Sequence, residues 1–142
     1  MKIENRKANH LYFILDKIEC GIELKGTEIK SIRKGSCDIR DSFAIVKNNE
    51  IFVVNMYISK YKEGNNFNHE ERRTRKLLLH KHEIKKLREK KEREGITLVP
   101  LEVYFKGSNA KLLLGVCKGK KLYDKRETIK QRDLDREMRR KA

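Results

Sequence analysis

Apolar and polar residues alternate with period two in six short runs, residues 11–15, 18–24, 42–47, 51–58, 98–106 and 111–117, each enriched in β-branched or aromatic side chains. That period puts every second side chain on one face of a strand, so a chain that repeats it six times must curl or stack its sheet to hide the apolar face. Turn chemistry falls where hairpins need it: Asn48-Asn49 joins the third run to the fourth, and Lys106-Gly107-Ser108-Asn109 joins the last two. Only Asp16-Lys17 separates the first two runs, which leaves either a hairpin or one bulged, continuous strand. Pro100, the single proline, lies inside the fifth run and predicts an edge position or a bulge. The fold class is therefore mainly β, a small barrel or sandwich.

Two helical patterns interrupt the strands. Thr27 is placed to cap a short helix running to Gly35, with Glu28 in its first turn, Ile29 and Ile32 inward, and Lys30, Arg33 and Lys34 outward. A second helix is predicted over 81–94, ending at Gly95, with Ile84 and Leu87 as a narrow apolar stripe and i,i+4 charge pairs on its surface. Residues 59–76 form a connection long enough to suggest a function. It ends in Arg72-Arg73-Thr74-Arg75-Lys76, directly ahead of Leu77-Leu78-Leu79, so these cations sit beside a buried anchor.

Residues 118–142 carry eleven Lys/Arg against five Asp/Glu and almost nothing apolar, so they cannot bury a face of their own. They are expected to form a loose basic arm that orders against a polyanion, attached to a compact domain of residues 1–117. The net charge of +15 is not confined to that arm, because residues 1–117 hold 25 basic against 16 acidic side chains. Nucleic acid is the partner such a balance suits, through counterion release from phosphates. No apolar run approaches membrane-spanning length, and the amino terminus lacks the apolar core of a signal peptide, so a cytoplasmic protein without a membrane partner is expected.

Other chemistries find little support. Cys20, Cys37 and Cys117 are odd in number and widely spaced, which suggests neither disulfides nor zinc. His80-Lys81-His82 on a helix would direct its rings apart, and no metal-ligand spacing accompanies His10, His69, His80 or His82. Asp38 with Asp41, joined by Glu19 and Glu28, is the best constellation for a metal-dependent nuclease, but carboxylates so spaced are common caps and turn residues. No phosphate-binding glycine loop or nucleophile motif is present. The expectation is a protein without catalysis, cofactor, metal or small-molecule substrate. Tyr12, Tyr57, Tyr61, Phe67 and Tyr104 read mostly as core or rim, whereas Tyr123, inside the basic arm, is free to stack on a base.

Several blocks taken together resemble the SsrA-binding protein family, also called small protein B. They are Asn5-Arg6-Lys7-Ala8, Glu19-Cys20-Gly21-Ile22, Gly26-Thr27-Glu28-Ile29-Lys30-Ser31-Ile32-Arg33-Lys34-Gly35, Asp41-Ser42-Phe43, Arg73-Thr74-Arg75-Lys76-Leu77-Leu78-Leu79-His80, and the stretch from Gly115 to Arg126. The resemblance implies a six-stranded antiparallel barrel of oligonucleotide-binding (OB-fold) type with peripheral helices. It also implies an adaptor that binds the tRNA-like domain of transfer-messenger RNA (tmRNA) and delivers it to stalled ribosomes, for ribosome rescue by trans-translation. A general structured-RNA or ribosome-associated barrel is the alternative.

By the same resemblance, RNA recognition falls on Glu19, Lys76, Leu78 and His80, with Asn5, Arg6, Lys7, Gly119, Lys120 and Lys121 beside them. Charge adds Lys30, Arg33, Lys34 and Arg75 as RNA contacts. Tyr123, Asp124, Lys125 and Arg126 match the family's positions for engaging the small-subunit decoding region. Lys130, Arg132, Arg136, Met138, Arg139 and Arg140 follow along the message channel, in a segment said to become helical on the ribosome. Departures from the family's usual pattern are Asn9, the triplet Ser36-Cys37-Asp38 and an arm that ends soon after Lys141.

Overall fold

The computed structural model describes residues 1–63 and 68–120. The elements run β1 (Lys2–Glu4), α1 (Lys7–Leu11), β2 (Tyr12–Ile22), α2 (Gly26–Arg33), β3 (Cys37–Asp38), β4 (Phe43–Lys47), β5 (Glu50–Val54), β6 (Tyr57–Ile58), β7 (Arg75–Leu78), α3 (Lys81–Glu94), β8 (Thr97–Lys106) and β9 (Asn109–Gly119). Antiparallel pairing passes from β4 to β5, β7, β2, β9 and β8, and β8 returns to β4. Six strands thus close on themselves, and the expected barrel forms. Closure satisfies the strand edges around the ring. β1 lies along the rest of β8, and β3 pairs with β6 as a separate ribbon.

Alternation fills the barrel. Cys20 and Ile22 from β2, Ile51 and Val53 from β5, Leu77 from β7, Leu98 and Val103 from β8, and Leu112, Leu114 and Val116 from β9 form one cluster. Ile32 of α2 and Ile84 and Leu87 of α3 close onto it. Each such aliphatic side chain contributes about 1.5–3 kcal/mol by leaving water. A smaller cluster of Ala8, Val99, Leu101 and Cys117 fixes α1 to the outside of the barrel.

Asn48 and Asn49 both take positive φ, 52° and 62°, in a two-residue hairpin. The first two runs are one strand, β2, whose register against β9 shifts between Ile14 and Asp16. The β8–β9 register shifts between Pro100 and Glu102, so the proline sits at a bulge. α3 ends where expected because Gly95 takes φ 62°, a left-handed cap that glycine adopts without strain.

Four expectations need correction. The run 51–58 is broken between β5 and β6, where Asn55 takes φ 64°. Thr27 does not cap α2: the cap is Lys25, whose N–H donates to Glu28 Oε1 at 2.7 Å, and the Thr27 hydroxyl bonds His69 Nδ1 at 2.8 Å instead. The basic stretch ahead of Leu77 continues into a strand, β7. Finally, Lys118 and Gly119 belong to β9, and the Lys120 N–H donates to Leu11 O at 2.9 Å, so the body extends beyond residue 117. The three cysteines are free, and burial pushes the Cys20 and Cys37 thiols up to about 12 and Cys117 to about 11. Such thiols are poor nucleophiles.

Candidate nucleic-acid interface

Pairing of β2 with β7 brings distant parts of the chain together. Gly21 lies opposite Leu78 and Ile22 opposite Leu77. Arg75 and Leu77 are buried on the barrel side of β7, while Lys76 and Leu78 fall on the outer side. Leu78 is 46% exposed. It rests on Gly21, where an added Cβ would come within 3.2 Å of Leu78 Cβ. Glycine at this position lets the leucine lie flat against the strand.

An open groove follows from that pair, lined by Glu19, Leu78, Leu79, His80, Glu83, Lys106 and Lys111 as well as Gly21. Glu19 Oε1 accepts a hydrogen bond from Lys106 Nζ at 3.1 Å. His80 caps α3 with extended backbone, and its N–H donates to Glu83 Oε1 at 3.0 Å. Since His80 precedes the helix, its ring does not diverge from that of His82 as helical spacing predicts. The two stack with centroids 5.6 Å apart and planes 10° from parallel. Lys76, two residues before Leu78 on β7, does not line the groove, and the Glu50 carboxylate at 2.9 Å raises its ammonium above the ordinary lysine value.

The remaining candidates form two further groups. Arg6, Lys7, Gly119 and Lys120 gather at the other end of β2, where Tyr12 pairs with Gly119. Nine positions along β2 separate Tyr12 from Gly21, so at most about 30 Å of strand divides this group from the Gly21–Leu78 pair. There Arg6 pairs with Glu4, Lys7 with Asp41, and Lys120 Nζ donates to Asn9 O at 2.9 Å. The α2 cations form the third group: Lys30 and Lys34 lie over the Tyr61 ring and Arg33 over Phe105.

Two candidates are corrected. Arg75 is fully buried, and its guanidinium donates to Glu28 Oε2 at 2.7 Å and to the carbonyls of Met56, Glu70 and Glu71. Strand alternation turned this cation inward, and Glu28 neutralises it. Arg73 completes the cluster with 3.1 and 2.7 Å bonds to the same carboxylate. Burial pushes the Glu28 carboxyl up, but hydrogen bonds from Arg73, the Lys25 N–H and Arg75 outweigh it and hold the group below the usual range. Asn5 is also buried, and its amide spans Ile39 O and Pro100 O. Neither side chain is available to RNA.

The nuclease constellation does not assemble. Asp38 is held low by its hydrogen bonds from Arg40, Asp41 pairs with Lys7, Glu19 with Lys106, and Glu28 is buried with its arginines. Among the described residues no three His, Cys, Asp or Glu side chains converge as metal ligands, and no helix is long and apolar enough to cross a membrane. Lys121 and all arm candidates from Tyr123 to Arg140 lie outside the described residues.

Residues 2–142 match the family described as SmpB protein. The chain belongs to the SmpB family. Its relatives include SsrA-binding proteins of Carboxydothermus hydrogenoformans, 58% identical across 95% of this chain and 91% of that one, and of Ligilactobacillus salivarius, 56% identical across 96% and 88%. Another, from Staphylococcus saprophyticus, is 57% identical across 95% and 90%. Among solved structures, a chain from "tmRNA-SmpB: a journey to the center of the bacterial ribosome" superposes with a TM-score of 0.71 at 50% identity, covering 84% of each chain.

Glu19, Leu78 and His80, the positions that the family resemblance names for RNA recognition, line one groove. Sequence reasoning missed Lys106 and Lys111 of the groove, although both border the predicted hairpin at Gly107. It also missed His69, which is buried and joins Thr27 to Ile58 O, for which no local pattern gives a signal.

Proposed function

We propose that this protein is an RNA-binding adaptor that grips the tRNA-like domain of tmRNA and delivers it to ribosomes stalled during translation. The observation that carries this reading is the groove, where the exposed Leu78, the His80 imidazole and two carboxylates, Glu19 and the helix-capping Glu83, lie together with Lys106 and Lys111. Glu19 cannot neutralise a phosphate, and its use in such a place is to accept hydrogen bonds from a base edge. Leu78 supplies a flat apolar contact, His80 a stacking face, and Lys106 and Lys111 the phosphate contacts. This suits unstacked bases in a folded RNA better than a regular duplex, whose base edges are poorly accessible. Membership of the SmpB family and the likeness to a chain described with tmRNA support the same reading.

In this function residues 1–117, with the short extension to Lys120, form the RNA-gripping body, and the rest of residues 118–142 engages the ribosome. Tyr123, Asp124, Lys125 and Arg126 meet the decoding region. Lys130, Arg132, Arg136, Met138, Arg139 and Arg140 follow the message channel. A helix of about twenty residues reaches roughly 30 Å, so bound message would compete for the same space. The adaptor works in the cytoplasm and performs no catalysis of its own.

A salt-series titration against the tRNA-like domain, with an elongator tRNA in parallel, tests the proposal. Preference for the tRNA-like domain should persist as salt rises, because shape and base contacts release no counterions. Equal affinities that collapse together would instead indicate a general structured-RNA binder.

A further inference from the structure

Cations around the barrel are often tied to carboxylates: Lys7 to Asp41, Arg40 to Asp38, Lys76 to Glu50 and Lys106 to Glu19. The outer face of α2 differs. Among the described residues Lys30, Arg33 and Lys34 make no ion pair and lie against aromatic rings. Lys30 Nζ and Lys34 Nζ are 5.5 and 5.0 Å from the Tyr61 centroid, and the Arg33 guanidinium carbon is 4.2 Å from that of Phe105. A ring face stabilises a positive charge without cancelling it, and an ammonium group in contact with a ring on one side keeps N–H donors for another partner. Lys30 and Lys34 stand i,i+4 on the helix, where like charges repel, yet one ring holds both.

The segment that carries the ring is tied to the helix through its neighbours. The Tyr61 N–H donates to Asn68 Oδ1 at 2.8 Å, and Asn68 Nδ2 donates to Tyr61 O at 2.6 Å. The adjacent His69 is buried and bonds Thr27 of α2 and Ile58 O, and Arg73 clasps Glu28 of α2. All these contacts leave the Tyr61 side chain free to serve the lysines. The site also borders the groove. Ile29 of α2 shares a depression with Gly21, Leu78 and Lys111, which line the groove as well.

We propose that α2 and Tyr61 form a phosphate-binding ledge that holds the backbone of the RNA whose bases enter the groove. Lys30, Arg33 and Lys34 are the binding groups, and Tyr61 and Phe105 are positioning residues. The identity of that RNA rests on the function proposed above, whereas the ledge itself requires only phosphate.

The test is a salt-series titration of the full chain and its variants against two probes, the tRNA-like domain and an unrelated RNA hairpin duplex. Lys30→Gln with Lys34→Gln should flatten the slope of log affinity against log salt by about two on the tRNA-like domain, one for each phosphate no longer neutralised. Tyr61→Leu keeps every charge and every main-chain bond of the loop, and should weaken binding about two- to fivefold, the scale of exposed cation–ring contacts. Tyr61→Phe should restore wild-type binding, which separates ring position from loop folding. An unchanged slope in the double lysine variant would overturn the ledge and leave an acidic protein as the better partner for α2. Unchanged binding by Tyr61→Leu would overturn the positioning role. If both probes bind equally while the double variant still flattens the slope, the ledge stands and the tmRNA reading falls.

Discussion

Glu28→Gln should destabilise the protein by about 3–5 kcal/mol, the usual cost of removing one partner from a buried ion pair. The carboxylate is fully buried and accepts four hydrogen bonds, two from Arg73, one from Arg75 and one from the Lys25 N–H. Arg73 retains 28% side-chain exposure and can be hydrated, but Arg75 has none, so its charge would be left in the barrel wall without a counterion. Glutamine replaces the shape and one acceptor, not the charge. Against a typical domain stability of about 5–15 kcal/mol the loss is large, and it should appear as a lower urea midpoint with an unchanged slope. Protonation of the wild-type carboxyl removes the same charge. Its folded-state pKa lies below the value of about 4.3 for an unfolded glutamate, so the contribution is whole above that value and fades as pH falls through the folded one. The gap between wild type and Glu28→Gln should therefore be widest near neutral pH and narrow in acid. Urea unfolding at pH 7 and at several acidic pH values measures this. A loss under about 1 kcal/mol at pH 7, or a gap that widens in acid, would refute the reasoning. Arg75→Met should cost a similar amount, and combining it with Glu28→Met should cost less than the two single substitutions added together, since contacting residues couple by about 0.5–3 kcal/mol.

Glu19→Ala should weaken binding to the tRNA-like domain even though it makes the protein more basic, while stability stays within about 0.5 kcal/mol because its pair with Lys106 is solvent-exposed; tighter binding in a fluorescence titration would refute a base-contact role. Gly21→Ala places a methyl 3.2 Å from Leu78 Cβ and pushes that exposed leucine outward. Binding should fall several-fold with less than about 1 kcal/mol lost in thermal unfolding, and full affinity would show that the position of Leu78 does not matter. Truncation after Leu122 should leave binding to isolated tRNA-like RNA intact and abolish peptide tagging in a reconstituted translation reaction; a parallel loss of both would mean that the arm serves only RNA affinity.

Much of the scaffold was legible because strands and caps are written locally. Period-two alternation located five of the six barrel strands, Asn48-Asn49 the tight hairpin, Pro100 the bulge and Gly95 the end of α3. β7 escaped, being four residues long and opening with Arg75-Lys76, which read as the basic end of the 59–76 connection. Its pattern becomes meaningful only against its partners. Paired between β5 and β2, the strand must send alternate residues into the barrel, and so Arg75 is buried while Leu78 is exposed.

The site divides in the same way. Residue identity alone, through its likeness to a known family, indicated Glu19, Leu78 and His80 and the basic character of the whole surface. Tertiary structure decided which polar side chains remain available. Glu28 consumes Arg75 from 47 residues away, Asn5 is spent on the carbonyls of Ile39 and Pro100, and Lys30, Arg33 and Lys34 stay unneutralised over aromatic rings. A sequence lists charges, but their availability depends on burial and on the counter-charge that folding brings to each, and both are properties of long-range packing.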